Sequence, residues 1–443
     1  MTRTARSLAG GVLAAALLAG SLTACSTAAT PTTGPSGSAA ADKLSVAYWN
    51  YGPSAESSNK ALAEGFEKSN PGITVNLVPI AGDNWGGYYA NLATLIGSGE
   101  KPDLALTASE GIKFLSENKL IVPVNDYLDS KDSAALTADI APALLDAFAL
   151  NGQRVAVPNQ WNNMVIYYNT KLFDDAGLDY PSANWTWDDF KKTAKALTKD
   201  TDSDGKNDQY GFTWASNEIF PGILPWVANA GGNLVNDDVS DATANSEPVV
   251  TAVSYLNDLI VEGTAPAPSP MGDIFSAFQN GKVAMFGGGR WPSATLLRNG
   301  FTSWDIQLYP TGATYKTVVG AAGYAILTSA ASPDLAWQFQ KYTSSPAVED
   351  AEIGTPKAPR DSIPSLRSTA KKTVDAGIPP KNGALFYDSV DKYPALTPFP
   401  APAKYSEYES TVLRHLQQIF AQEVDVKAGL EALQADLSAT IKS

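Results

Sequence analysis

Apolar positions recur along this chain in two alternating rhythms from Leu44 onward. "LSVAYWNY" has the short apolar run of a strand. "SAESSNKALAEGFEKSNPG" sets Leu62 and Phe66 one helical turn apart and is stopped by Asn70-Pro71-Gly72. "ITVNLVPI" returns to strand. "NWGGYYANLATLIGSGE" places Tyr88, Leu92, Leu95 and Ile96 at helical spacing, and "DLALT" is a short strand. A helix around Ile112 to Asn118 and the turn-like "IVPVND" follow. Strands alternating with helices predict an α/β fold with a mostly parallel sheet covered on both faces.

The rhythm changes at "QRVAVPNQWNNMVIYYNTKLF", where "RVAVP" and "MVIYYN" both read as strands. "NWTWDDFKKTAKALT" opens a helix with Thr186 as N-cap and Asp189 three residues on, a capping-box pattern. "GKVAMFGG", "WDIQLYP" and "GYAILT" read as further strands. Leu430, Leu433, Leu437 and Ile441 mark a terminal amphipathic helix. No repeat of solenoid period is present.

The first 42 residues lie outside this pattern. "MTRTAR" is basic, "SLAGGVLAAALLAG" is apolar but short for a membrane span, and "SLTAC" ends in small residues. That is the layout of a secretory signal peptide, an ordinary one being the plain alternative. Leu22-Thr23-Ala24-Cys25 resembles the bacterial lipobox, which implies cleavage after residue 24 and a diacylglycerol on the Cys25 sulfur. One acyl chain binds a membrane only marginally, whereas two or three on one cysteine hold firmly. The expected place is the outer face of the bacterial plasma membrane. Residues 25–42, rich in Ser, Thr, Ala and Pro, bury too little apolar surface to offset their ordering and read as a disordered tether. Removing 24 of the 443 residues leaves 419, enough for two to three domains. The net charge of −14 becomes −16 as Arg3 and Arg6 leave, which argues against nucleic acid as partner.

Catalytic motifs are sparse. The single histidine, His415, sits beside Leu413 and Leu416 in "STVLRHLQQIF", where a packing or surface role is expected. The single cysteine is Cys25, so hydrolase triads have no members to draw on. No nucleophile-elbow, zincin or P-loop motif occurs. Paired carboxylates remain open as the basis of a surface glycoside hydrolase. "DTDSDGKNDQYG" puts Asp200, Asp202, Asp204, Lys206 and Asp208 at calcium-loop positions, but position 12 is Gly211 where a bidentate Glu is required. An Asp/Gly-rich turn is the alternative. No cofactor is required beyond that candidate structural calcium.

Four motifs in order carry a family resemblance: "NLATLIGSGEKPDLAL", "MVIYYNTKLFDDAGL" with "TWDDFKKTAKALT", "FQNGKVAMFGGGRW", and "GAAGYAIL". Together they resemble the family 1 extracellular solute-binding proteins, distantly similar to maltodextrin-binding protein, over residues 43–443. The resemblance implies a two-lobed periplasmic-binding-protein-like fold with a ligand cleft. Lobe one would take 43–157 plus 315–357, and lobe two 158–314 plus 358–443. It implies a monomeric receptor that delivers a mono- or oligosaccharide to the permease subunits of an ABC importer, with no catalysis. The same fold binding a polyol, phosphorylated sugar or peptide is the alternative, with Arg290 or Arg298 as local cations for an anion.

Sugar rings stack on indole faces, and their hydroxyls need fixed polar partners in a mostly apolar cleft. Ligands in open α/β sheets sit beyond the carboxyl ends of strands. Trp49 and Tyr51 close the first strand, and Trp291 follows "KVAMFGG". Trp161 and Asn162 occupy the loop into lobe two, and Trp226 resembles the family's cleft tryptophan; packing in a core is the alternative for each tryptophan. Asp83 and Asn84 precede a helix, where Asn84 is also a natural N-cap. Asp103 opens a strand as a ligand or structural carboxylate. Gly323 beside Tyr324 allows close backbone approach, and Arg360 is placed by the resemblance at the hinge.

Overall fold

The computed structural model describes residues 42–351, 354–355, 358–359, 361–393, 395–396 and 400–442. Cys25, the lipobox, the tether up to residue 41 and Arg360 lie outside them.

Two sheets organise the chain. The first contains β1 (Lys43–Trp49), β2 (Thr74–Ile80), β3 (Leu104–Ala108), β4 (Gln160–Asn163), β8 (Thr317–Ile326) and β9 (Ile363–Pro364), in the spatial order β9-β4-β8-β3-β1-β2. Residues 395–396 lie beside the start of β8. The second consists of β5 (Val165–Asn169) between β6 (Met285–Gly288) and β7 (Trp304–Leu308). Residues 210–213 extend it through bridges to Val283 and Phe286.

The α/β class matches the sequence pattern, but the sheets are mixed rather than mostly parallel. β1 runs parallel to β2 and β3. β8 is antiparallel to both β3 and β4, and β5 is antiparallel to both neighbours. The cause is connectivity: the early strands are joined by helical crossovers, whereas β4 leads out of the first sheet into β5 of the second and β8 returns to it after β7. For the same reason β4 and β9, assigned above to lobe two, are hydrogen-bonded into the first sheet. "RVAVP" forms a strand only at Gln153–Arg154.

The helices follow their patterns closely. α1 (Pro53–Ser69) buries Leu62 and Phe66, and α2 (Trp85–Gly97) buries Tyr88, Tyr89 and Leu92. α3 (Trp187–Leu197) has the capping box in both directions between Thr186 and Asp189. α4 (Glu247–Val261) belongs to the second half. α5 (Trp291–Arg298) follows β6. α6 (Tyr405–Phe420) and α7 (Val426–Lys442) end the described chain, with Leu430, Leu433 and Leu437 buried. α6 packs on α2 and on α7, while α7 packs on α4, so α6 lies between the two halves. His415 joins this packing: Nε2 lies 2.8 Å from Asp436 Oδ2.

Asp103 precedes β3, at the opposite end of the parallel strands from Trp49. Its carboxylate accepts from Ser45 N and Ala331 N, both at 2.7 Å, and is buried. It is a structural tie, not a cleft group. Asp103→Ala removes the acceptor of two part-buried backbone donors and the bonds of a buried carboxylate, together costing about 1–3 kcal/mol. Thermal melts should show a lower midpoint with ligand affinity unchanged; unchanged stability would contradict the tie.

Candidate functional site

Because β1, β2 and β3 are parallel, the loops after them share one edge of the sheet. An aromatic wall forms there. The Trp49 ring lies 4.7 Å from Trp85, and Trp85 stacks on Tyr89 at 5.8 Å with planes 25° apart. Trp49 Nε1 donates to Gly82 O at 2.8 Å, fixing the indole. Tyr51 meets the Trp49 edge at 5.5 Å and is 56% exposed. Asp83 is exposed beside it.

Asn84 fills both roles weighed for it. Its Oδ1 caps α2 by accepting from Gly87 N at 2.8 Å. Its Nδ2 donates to Asn217 O at 3.1 Å, which lies just past the strand-like segment on the second sheet. Nearby, Gly86 N donates to Glu409 Oε2 at 2.9 Å, and Ser406 Oγ donates to Gly86 O at 2.7 Å. These bonds close a seam between the first lobe, the second lobe and α6. At its rim Asp361 accepts from Ser54 Oγ at 3.0 Å and from Arg298 Nη1 at 3.3 Å, so Arg298 is already paired.

The second lobe adds its own wall. Asn162 Oδ1 accepts from Arg290 N at 2.8 Å. A Cβ at Gly289 would collide with the Trp291 indole, so glycine lets that half-buried ring fold back over the strand end. Arg290 is buried, its guanidinium 5.8 Å from the Phe386 ring centre and 5.7 Å from Tyr387, with a hydrogen bond to Tyr387 Oη. It braces the fold rather than presenting a cation to an anion. Phe220 covers Gly320 of β8, where a Cβ would sit 3.0 Å from the ring.

Three carboxylates that the sequence did not single out face the seam. Glu110 follows β3, Glu218 precedes the short helix Ile219–Gly222, and Glu409 lies on α6. Burial pushes Glu110 and Glu409 up to about 7. Burial, then the charges of Glu409 and Glu110, push the half-buried Glu218 up to about 8. Glu110 follows directly from the strand-end rule. Glu409 had a signal too: it shares the apolar face of α6 with Tyr405, Tyr408 and Val412, all buried. Glu218 had none. Trp85 shares the wall for which the sequence analysis named Trp49 and Tyr51.

Other candidates sit elsewhere. Trp226 is wholly buried among Phe190, Phe212, Tyr255 and Tyr309, with ring centres 5.1–5.5 Å away, and belongs to the second lobe's core. Trp161 is buried and donates Nε1 to Pro364 O at 2.9 Å, tying the crossing strands. Gly323 is required because a Cβ would strike the Val157 carbonyl oxygen, so the close approach is by the chain itself. Tyr324 is buried with its hydroxyl donating to Asn59 Oδ1. One carboxylate oxygen each from Asp200, Asp202 and Asp208 lies within 4.8 Å of the others, and Asp204 is not part of that group. All are acceptors for the loop's own N–H groups, as at Ser203 N and Thr201 N, so the group by itself does not make a metal site. A Cβ at Gly211 would strike the α3 backbone, so no side chain can complete a shell there.

A cavity of about 280 Å³ opens beside Glu218, lined by Trp214, Pro268, Leu416, Gln417 and Phe420. A larger one, about 460 Å³, lies on the first lobe between Phe66, Leu136 and Tyr342, away from the seam.

Residues 51–350, about two thirds of the chain, match the model of the family described as bacterial extracellular solute-binding protein. The chain belongs to that family. A structure of an ABC substrate-binding protein from Listeria monocytogenes in complex with cycloalternan aligns with TM-score 0.76 at 22% identity, over 90% of this chain and 99% of that one. That likeness establishes the two-lobed fold. A putative binding protein of Brucella abortus is 28% identical over 53% of this chain and 54% of its own. An arabinooligosaccharide-binding protein of Halalkalibacterium halodurans is 25% identical over 47% and 45%. The chain thus spans about half the length of these curated relatives. Among the described residues no helix is long and apolar enough to cross a membrane.

Raised carboxyl pKa values mean the folded state holds protons that the unfolded state has released. Stability is therefore full below about 4.5 and is lost as pH rises through 7 to 8. Melting midpoints should fall between pH 5 and pH 8.5, and Glu218→Gln should flatten that slope. A slope unchanged in the variant would remove Glu218 from the seam's electrostatics.

Proposed function

We propose that this protein is the substrate-binding subunit of an ABC importer and holds a carbohydrate between its lobes. The observation that carries the reading is the seam itself. Indoles at Trp49 and Trp85 stand beside the Asn84–Asn217 and Gly86–Glu409 ties, and the Trp291 indole lies by Asn162 at the end of the second sheet. Apolar faces flanked by fixed hydrogen-bonding groups suit a sugar ring, whose C–H faces stack while its hydroxyls bond at the rim. The family supports solute binding, and relatives named for oligosaccharides favour sugar over polyol or phosphorylated sugar. With Arg290 and Arg298 both engaged, an anionic ligand has less support.

In this reading ligand bridges the lobes and shifts an open–closed equilibrium toward closed. The closed form docks on permease subunits, and no bond in the ligand is broken. A monomer suffices. Titrations followed by tryptophan fluorescence and calorimetry across a panel of mono- and oligosaccharides test it. At least one saccharide should bind, and Trp49→Ala or Trp291→Ala should each weaken it three- to tenfold, the worth of one stacking face at about 1 kcal/mol. Absence of binding across the panel would overturn the carbohydrate assignment; release of reducing ends would favour a glycoside hydrolase instead.

Lipid attachment at Cys25 belongs to the same proposal and is supported by the lipobox sequence and by the family's extracellular role. Cys25→Ser should shift the protein from the membrane fraction to the medium while ligand affinity stays the same. Retention of the variant on membranes would rule the anchor out.

A further inference from the structure

The first turn of α2, in lobe one, is gripped by two separate elements across the seam. Asn84 Oδ1 accepts from Gly87 N, which fixes the amide's orientation and turns Nδ2 outward to Asn217 O at 3.1 Å. Asn217 is in turn fixed within lobe two, its Oδ1 accepting from Met271 N at 3.3 Å. Two residues after Asn84, both backbone groups of Gly86 are bonded to α6. Its N–H donates to Glu409 Oε2 at 2.9 Å, and its carbonyl accepts from Ser406 Oγ at 2.7 Å. Tyr405 Oη donates to Glu409 Oε1 at 3.1 Å and holds that carboxylate in place.

At its other end α6 is anchored on lobe two. The Phe420 ring lies 5.2 Å from Trp214, and Gln422, just past the helix, donates to Asn257 Oδ1 on α4 at 2.6 Å. The opening turns of α6 thus reach from lobe two to α2.

An independent observation is the identity of residue 86. Gly86 is the second residue of a helix and has no positive φ, so its backbone does not require glycine. Glycine is also among the poorest helix formers. The requirement comes from across the seam: a Cβ here would lie 2.6 Å from Glu409 Oε2 and 3.3 Å from Ser406 Cα. Helix stability in lobe one is forgone so that α6 can approach.

We infer that these three hydrogen bonds form a latch: protein groups alone favour the closed lobes, and residues that touch no ligand set part of the affinity for every ligand. The inference rests on the solute-receptor reading above and adds what regulates its open–closed step. Where only a fraction of molecules is closed, apparent affinity falls by that fraction for all ligands alike. A residue that touches ligand changes the ranking of ligands instead.

Three variants test the latch. Asn84→Ser keeps a good N-cap for α2 but is too short to reach Asn217. Ser406→Ala removes the donor to Gly86 O. Gly86→Ala favours the helix and wedges the Glu409 carboxylate away. Cys25 is the only native cysteine, so the full chain carrying Cys25→Ser, Lys68→Cys and Lys195→Cys takes spin labels at two exposed positions alone, one on α1 and one on α3. Without ligand, each latch variant should shift the label-to-label distances from a shorter population to a longer one. Calorimetry with glucose, maltotriose and mannotriose should show every sugar that binds the parent weakened three- to tenfold, by one common factor per variant, at unchanged stoichiometry. Distances that no variant changes overturn the latch even if affinities fall, and so do affinities that stay the same. Unequal factors among the sugars overturn it too, since the substituted residue would then be a ligand contact. If none of the sugars binds the parent, the carbohydrate reading loses its support, while the ligand-free distances still decide the latch.

Discussion

The structure depends on one strand that has no room for a side chain at Gly323 and little at Gly320. β8 is inserted between β3 and β4, and ten residues of it hold the first sheet together. At Gly323 the Val157 carbonyl crosses where a Cβ would be. At Gly320 the Phe220 ring, carried by the second lobe, occupies that space. Both halves of the chain are therefore registered on a single strand by close contact as well as by hydrogen bonds. Any residue larger than glycine at either place would push apart the surfaces that β8 joins, a cost of typically 1–3 kcal/mol for overpacking. The cleft walls inherit their positions from this registration.

From that frame follows an electrostatic conflict. The same seam that brings Asn84 to Asn217 and Gly86 to Glu409 also gathers three carboxyls from three separate segments. Each of the hydrogen-bonding ties is favourable, and the accumulation of charge is not. Burial pushes Glu110, and burial with the neighbouring carboxyls pushes Glu218, well above the usual carboxylate range, so each is most readily kept as the neutral acid.

Much of the fold was legible because it rests on local rules. Periodicity marked α1, α2 and α7, and the Thr186–Asp189 box marked the start of α3. The strand-end rule correctly brought Trp49, Tyr51 and Asn84 to one edge. Of the two roles weighed for Asp103 the structural one holds, because the residue sits at the beginning of its strand, the opposite edge of the same sheet. Trp226, Trp161 and Tyr324 show why aromatic identity alone does not separate a wall from a core. Each lies in a strand or short helix whose burial is decided by what packs on it from far away in the chain. Sheet direction at β4 and β8 was hidden for a related reason: a residue pattern of period two is the same for parallel and antiparallel neighbours.

The carboxylates illustrate a sharper limit. Glu409 is four residues from Tyr405 and three from Val412 on the buried face of α6, and a charge on an apolar face is a signal that helical periodicity can deliver. What periodicity cannot deliver is the company it keeps. Glu110 is 299 positions away in the chain and Glu218 is 191 positions away, and their mutual field exists only once α6 has been laid against α2. A solitary buried Glu on an apolar helix face gives no hint of the other carboxyls that raise its pKa.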